Sequence, residues 1–164
     1  MIDTNKITIQ WLAGFFDGEG SVCIRRHNGN RWQLRVNLTQ ANFELLSAVA
    51  AKYGASYGPY TKTRKTKLGK DSTVYEIGWA SRKAMLQILH LLDGVVIAKA
   101  RQVRLAIEFL ETGVGSGNQF DEATHDKREA MRNEMRWLNH AGPNKPASET
   151  VFTSPEHAEH EYVQ

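Results

Sequence analysis

Cysteine is almost absent from this chain. Cys23 stands alone, so there is no internal disulfide and no cysteine-built zinc site. Long apolar runs are missing too: none approaches the ~20 residues that span a bilayer. The opening residues, Met1-Ile2-Asp3-Thr4-Asn5-Lys6, lack the apolar centre of a secretory signal. Together these absences lead us to expect an intracellular protein. Lysine and arginine are missing from residues 148–164, which hold four glutamates (Glu149, Glu156, Glu159 and Glu161). That segment carries −4, which leaves +7 on residues 1–147 of a chain whose total is +3. A basic body with a detached acidic tail suits a domain that binds a polyanion, although an ordinary surface with a charged tail has the same balance.

What is present is enough for one domain with a sizeable core: 164 residues, 41% of them hydrophobic. The stretch that organises it is Trp11-Leu12-Ala13-Gly14-Phe15-Phe16-Asp17-Gly18-Glu19-Gly20-Ser21. Thr8 is a candidate N-cap, and Ile9, Leu12 and Phe16 fall on one helical stripe. Trp11, Ala13, Gly14 and Phe15 leave no polar face, so this helix is expected to be covered on more than one side. Gly14 and Gly18 lie one turn apart, where small residues let a second backbone approach. Gly18 and Gly20 then end the helix around Glu19. A carboxylate at a buried helix end is costly unless it is paired or holds a cation.

Downstream, residues 21–27 alternate as a strand with Val22 and Ile24 on one side. Asn28-Gly29-Asn30 signals a hairpin, and 31–40 return with Leu34, Val36 and Leu38 inward. A helix follows from an Asn42 cap through Tyr53, with Phe43, Leu46, Val49, Ala50 and Tyr53 inward, and Gly54 stops it. The order then recurs. Residues 56–65 read as a strand interrupted at Gly58-Pro59, 66–71 as a basic loop, 72–80 as a strand, and a Ser81-capped helix runs to about Gly94. A helix over 96–112 buries Ile97, Ala100, Val103, Ile107 and Leu110. A glycine-rich linker at 113–117 leads to a charged helix over 121–140 striped by Ala123, Met131, Met135 and Leu138. From 141 onward the composition predicts a flexible acidic tail.

On the outward side of the first hairpin stand Arg25, His27, Arg31, Gln33, Arg35 and Asn37, joined by Lys62 and Arg64 from the third strand. Arg suits guanine edges, Gln and Asn suit adenine, and a two-stranded ribbon fits the DNA major groove. A solvated sheet face carries the same residue types. Lys62, Arg64, Lys65, Lys67 and Lys70 read better as phosphate anchors than as readers, because backbone affinity needs charge more than geometry. Cys23 lies on the same face and is given no chemistry.

The Trp11–Ser21 stretch resembles the LAGLIDADG motif of the homing endonucleases. Leu12, Ala13, Gly14, Asp17 and Gly20 are as in the name; Phe15 and Phe16 replace aliphatics, Gly18 replaces Ala, and Glu19 replaces the final Asp. The resemblance covers about 8–113. It implies an α+β fold with an α-ββα-ββα core, a four-stranded curved antiparallel sheet whose open face lies along DNA, and C-terminal helices beyond it. Residues 1–140 would then be one endonuclease domain.

The resemblance further implies that Glu19 binds Mg²⁺ or Mn²⁺ with help from the Gly18 carbonyl, that Gln40 lines the active site, and that Lys99 reaches the reacting phosphate or its water. Asp17 becomes structural, near a two-fold axis. One motif per chain and a helix apolar all round call for a homodimer joined through Trp11, Ala13, Gly14, Asp17 and Gly18. Its target would be double-stranded DNA, pseudo-palindromic, with halves of roughly ten base pairs matched to a ~33 Å strand. The expected product carries short 3′ overhangs. Glu44 stands where the family often has a basic residue, leaving Arg101 or Arg35 as candidates for that role. An intron RNA maturase on the same fold, and a non-catalytic DNA-binding regulator, remain the alternatives.

Overall fold

Three side chains set where helices begin. Thr8, Asn42 and Ser81 each accept a hydrogen bond from the backbone N–H three residues on, at Trp11, Leu45 and Ala84. Such caps satisfy donors that a first turn leaves unpaired. The computed structural model describes residues 2–27, 31–65, 69, 71–112 and 121–141. The hairpin turn at 28–30, most of the basic loop, the 113–117 linker and the tail from 142 lie outside the described residues.

The elements run α1 (Ile9–Glu19), β1 (Gly20–His27), β2 (Arg31–Gln40), α2 (Phe43–Tyr53), β3 (Tyr57–Lys65), β4 (Asp71–Trp79), α3 (Arg82–Leu92), α4 (Ala100–Glu111) and α5 (Glu122–Ala141). The strands form one antiparallel sheet in the order β1-β2-β4-β3. Its register slips between Tyr57 and Tyr60, at the expected Gly58-Pro59 interruption. Gly54 ends α2 with φ of 61°, a left-handed conformation open to glycine at little cost.

Alternation decides which face is covered. Val22, Ile24, Leu34, Val36, Leu38, Ile77 and Trp79 turn to the helices and are buried. They form one core with Leu12 and Phe16 of α1, Leu46 and Val49 of α2, and the apolar stripes of α3 and α4. The opposite face of the sheet is left to the polar residues.

α5 covers the β1 edge of the sheet. Met131 and Met135 enter the core, and Asn139 Nδ2 donates to the Val22 carbonyl of edge strand β1 at 2.9 Å. Trp32 Nε1 of β2 donates to His125 Nδ1 of α5 at 3.2 Å. An edge so covered offers less to a foreign strand.

Some expectations fail at element ends. α4 begins at Ala100 rather than 96, because the N–H groups of 97–99 are held from outside the helix, as described below. Ile97 therefore escapes the helical period and is 88% exposed. Phe43, on the first turn of α2, is exposed and packs edge-on against Tyr75 at 5.1 Å. Ala123 is exposed on the first turn of α5. Among the described residues no helix is long and apolar enough to cross a membrane.

Candidate functional site

α1 runs into the sheet and stops. Gly20 follows the helix directly and opens β1, and its N–H returns to the Phe16 carbonyl. A Cβ at Gly20 would lie 2.5 Å from that carbonyl oxygen, so no other residue makes this exit without a shift. The exit leaves Glu19 exposed on the last turn. Gln40, at the far end of β2, donates from Nε2 to Glu19 Oε1 at 3.3 Å, while its own Oε1 accepts from the Ala41 N–H at 2.6 Å.

Asp17 acts two residues earlier. Its Oδ2 accepts from Ile97 N at 2.8 Å and Ala98 N at 3.1 Å, and its Oδ1 from Lys99 N at 2.9 Å. Lys99 occupies the N-cap of α4 without a side-chain cap bond of its own, so Asp17 supplies the cap from another helix. Lys99 Nζ donates to the Asp17 backbone carbonyl. Burial lowers the Lys99 pKa below the ordinary lysine value, although the charges of Asp17 and Glu19 pull it back up. The structure thus brings Glu19, Gln40 and Lys99 together at one helix end, with Gly18 exposed beside them.

The donor set suits a hard divalent cation. Glu19 offers a carboxylate restrained by one long hydrogen bond, and the last turn of α1 offers carbonyls beyond intrahelical pairing, at the negative end of the helix dipole. Oxygen ligands of this kind fit Mg²⁺ or Mn²⁺. Among the described residues no group of three or more His, Cys, Asp or Glu is placed to hold a metal. One carboxylate per chain matches Mg²⁺, which keeps waters and phosphate oxygens as its other ligands.

The outward sheet face differs from its expected form at its centre. Arg25, Arg31 and Gln33 are exposed there, with Arg25 opposite Gln33. Lys65 is exposed at the end of β3. The side chains of His27 and Arg64, and the whole of Lys67, lie outside the described residues. Asn37 corrects the expectation of a freely accessible reader: it is 6% exposed, and its Nδ2 donates to Glu76 Oε2 at 2.6 Å. Arg35 Nη2 donates to Glu76 Oε1 at 2.5 Å, Lys62 Nζ donates to Oε2, and Thr39 lies at 3.5 Å.

Glu76 was not singled out from the sequence. Its signal was present, since Tyr75, Ile77 and Trp79 inward put Glu76 outward, a lone acid among cations. Burial raises its pKa, but the bonds from Lys62 and Arg35 outweigh burial and hold it below the ordinary glutamate value. A depression of about 150 Å³ lies over this cluster, lined also by Ser21, Cys23 and Arg25.

The free side of α1 is a stripe of Trp11, Gly14, Phe15 and Gly18. Trp11 is 37% exposed and stacks on Phe15 with ring centroids 4.9 Å apart. A Cβ at Gly14 or Gly18 would meet nothing within 4 Å. Ala13 corrects its assignment to this surface: at 2% exposure it packs into its own core. Asp17 is likewise engaged within the chain.

A family model described as the LAGLIDADG-like domain matches residues 7–107. No curated protein sequence matches the chain. Among solved structures, the archaeal intron-encoded homing endonuclease I-Vdi141I, complexed with DNA, superposes with a TM-score of 0.63 at 17% identity, covering 84% of this chain and 87% of that one. The homing endonuclease I-CvuI, in complex with its target, gives 0.60 at 17% identity over 82% of each chain. Meganuclease I-SmaMI, bound to uncleaveable DNA, gives 0.54 at 21% identity, covering 77% of this chain but 44% of that one. The four-stranded antiparallel sheet, the helices on one of its faces and a family match over residues 7–107 lead to one conclusion: the chain belongs to the LAGLIDADG-like domain family and has the LAGLIDADG homing-endonuclease fold.

Proposed function

We propose that this chain is a site-specific DNA endonuclease that works as a homodimer and depends on a divalent metal. The observation that carries the reading is the convergence of Glu19, Gln40 and Lys99 at the exposed end of α1, beside an apolar stripe left open by the described residues. Solved structures that resemble it include homing endonucleases with DNA, I-CvuI among them with Mg or Ca.

In this reading Glu19 and the Gly18 carbonyl hold Mg²⁺ or Mn²⁺, which when bound supplies charge neutralisation and a more acidic water. Gln40 orients the Glu19 carboxylate. Lys99 keeps its ammonium against the Asp17 carbonyl, where it can meet a phosphate oxygen. Its depressed pKa brings the proton closer to use in transfer than that of an ordinary lysine. Asp17 fixes α4, and with it Lys99, relative to α1.

Two copies packed along Trp11, Gly14, Phe15 and Gly18 would set two Glu19 sites over one short stretch of duplex, one for each strand. I-SmaMI, more than twice as long as the part matched here, fits the idea that one copy is half of a working unit. The sheet faces would then follow the two half-sites. The test is incubation with a plasmid library of randomised ~24-base-pair inserts and Mg²⁺, followed by sequencing of linear products. We expect breaks with short 3′ overhangs at one pseudo-palindromic sequence, abolished by EDTA. Intact plasmid throughout, with the protein folded and dimeric, would overturn the reading.

A further inference from the structure

On the outward sheet face a carboxylate stands where a DNA-binding surface should be positive. Glu76 is 1% exposed, and four donors converge on it from β2 and β3. A buried ion pair can often be replaced as a whole by apolar residues without loss of stability, so stability alone does not account for Glu76 and its partners. This glutamate is tied to the two cations, Arg35 and Lys62, nearest the centre of the face.

Its neighbours are arranged to the same end. The Tyr57 hydroxyl stands beside Arg35, where it favours the charged guanidinium. Tyr57 reaches it by lying across β4 at Gly78. A Cβ there would sit 2.2 Å from the hydroxyl oxygen and 2.9 Å from the Val36 carbonyl, so glycine leaves the path open. The guanidinium of Arg35 is therefore held by Glu76 with the Tyr57 hydroxyl beside it, and stays 28% exposed. A planar fork so held still has N–H donors for a partner above it.

We propose that Glu76 is a positioning residue for sequence discrimination: it fixes Arg35 in one orientation for a base edge, and it keeps Arg35 and Lys62 from pairing indiscriminately with phosphates. The inference rests on the DNA-binding reading above. The cluster of Arg35, Lys62 and Glu76 carries one net positive charge rather than two. Affinity for any duplex falls accordingly, because each phosphate neutralised adds to sequence-independent binding. Discrimination rises, because a bidentate arginine–guanine contact needs a fork already aimed.

This trade gives Glu76→Gln two effects of opposite sign. Binding to an unrelated duplex should tighten, with the log–log salt slope steeper by about one unit per subunit. The affinity ratio between selected and unrelated duplex should fall at least ~10-fold, within what one bidentate contact is worth. The experiment enriches a randomised duplex pool with wild type and variant in parallel, without Mg²⁺, then measures both proteins on the wild-type-selected duplex and on an unrelated one at several salt concentrations.

A ratio unchanged in Glu76→Gln, or a parallel fall in both affinities, overturns the proposal and leaves Glu76 a structural residue. Wild type that enriches no sequence overturns the base-reading role of the whole face, and this proposal with it. Should Glu76→Gln melt before it can be measured, Tyr57→Phe decides. It removes one hydroxyl and keeps the ring, so selectivity should relax at the base position that Arg35→Ala also relaxes, with the salt slope unchanged. Unaltered enrichment at that position overturns the proposal.

Discussion

Two glutamates sit beside cations in this molecule, and they are held in opposite ways. Glu19, at the end of α1, is exposed and takes one hydrogen bond of 3.3 Å. Glu76, at the centre of the sheet, is 1% exposed and takes bonds from Arg35, Asn37 and Lys62. A cation arriving at Glu19 has little to displace. One arriving at Glu76 would have to break buried ion pairs, which is strongly unfavourable. A carboxylate meant to exchange partners is left under-satisfied, and one meant to hold others still is saturated. At the helix end the structural task falls instead to Asp17, whose partners are main-chain N–H groups.

The comparison breaks most visibly at Glu19. We expect Glu19→Gln to lower cleavage by about 10³-fold or more, the effect of losing several kcal/mol of charge stabilisation. Affinity for the selected duplex and thermal stability should stay close to wild type, as for an exposed substitution. Glu19→Asp should retain cutting. Cleavage at the wild-type rate by Glu19→Gln, on a duplex both proteins bind, would remove Glu19 from the chemistry.

The two sides of α1 give the next effect. Its inner side is filled by Leu12, Ala13 and Phe16, whereas its outer side has open space at Gly14. Gly14→Leu should therefore leave the monomer folded. Across a two-fold interface it inserts two side chains, each costing ~1–3 kcal/mol of overpacking. Sedimentation should show dimerisation weakened by at least ~30-fold. A wild type that remains monomeric both free and on DNA would contradict the dimer.

Asp17 should trade stability where Glu19 trades activity. Asp17→Asn keeps the shape but loses the charge and one acceptor oxygen, and caps of this kind are worth ~0.5–2 kcal/mol. Urea denaturation should register that loss. If it falls on Glu19→Gln instead, the division of labour drawn above is reversed.

The helix-end site was legible in the sequence because its residues are neighbours in it. Gly18, Glu19 and Gly20 are consecutive, and Asp17 precedes them. The periods of two and 3.6 located the four strands and five α-helices of the described residues but not the short 3-10 turn at Thr4–Lys6, and Thr8, Asn42 and Ser81 marked three starts. What was not legible depends on register. Asn37 looks like a reader when β2 is viewed alone. Only the pairing of Thr39 with Glu76, and of Tyr60 with Glu76 across the bulge, brings a glutamate beneath it. Ile97 was misread for a related reason, since its N–H belongs to a cap from a helix eighty residues earlier.

Readers and anchors on the sheet should separate by about the same energies but different signatures. Arg25→Ala should cost ~1–3 kcal/mol on the selected duplex and relax one base position in each half-site. Lys65→Ala should weaken all duplexes alike and lower the salt slope by about one unit per subunit. Pool enrichment and salt titration measure the two. If Arg25→Ala weakens every sequence equally, this part of the face is a phosphate surface, and recognition is confined to the region that Glu76 organises.

Acid gives the smallest effect and touches Glu76 directly. Its folded pKa lies below the ordinary glutamate value, chiefly because the bonds from Lys62 and Arg35 outweigh burial. Folding therefore favours the ionised form. The stability this contributes is complete above the unfolded pKa of ~4.3 and is lost as pH falls through the folded value. Glu76→Gln has no proton to gain. Wild type minus variant Tm should thus be flat from pH 7 to about 5 and move in the variant's favour below about 4.3. The sign holds whichever protein is the more stable at pH 7, because only the wild type loses a charge held by Arg35 and Lys62. A difference that stays constant to pH 3 would mean that the carboxylate gains nothing from its donors, and that Glu76 is not the saturated partner in the pair.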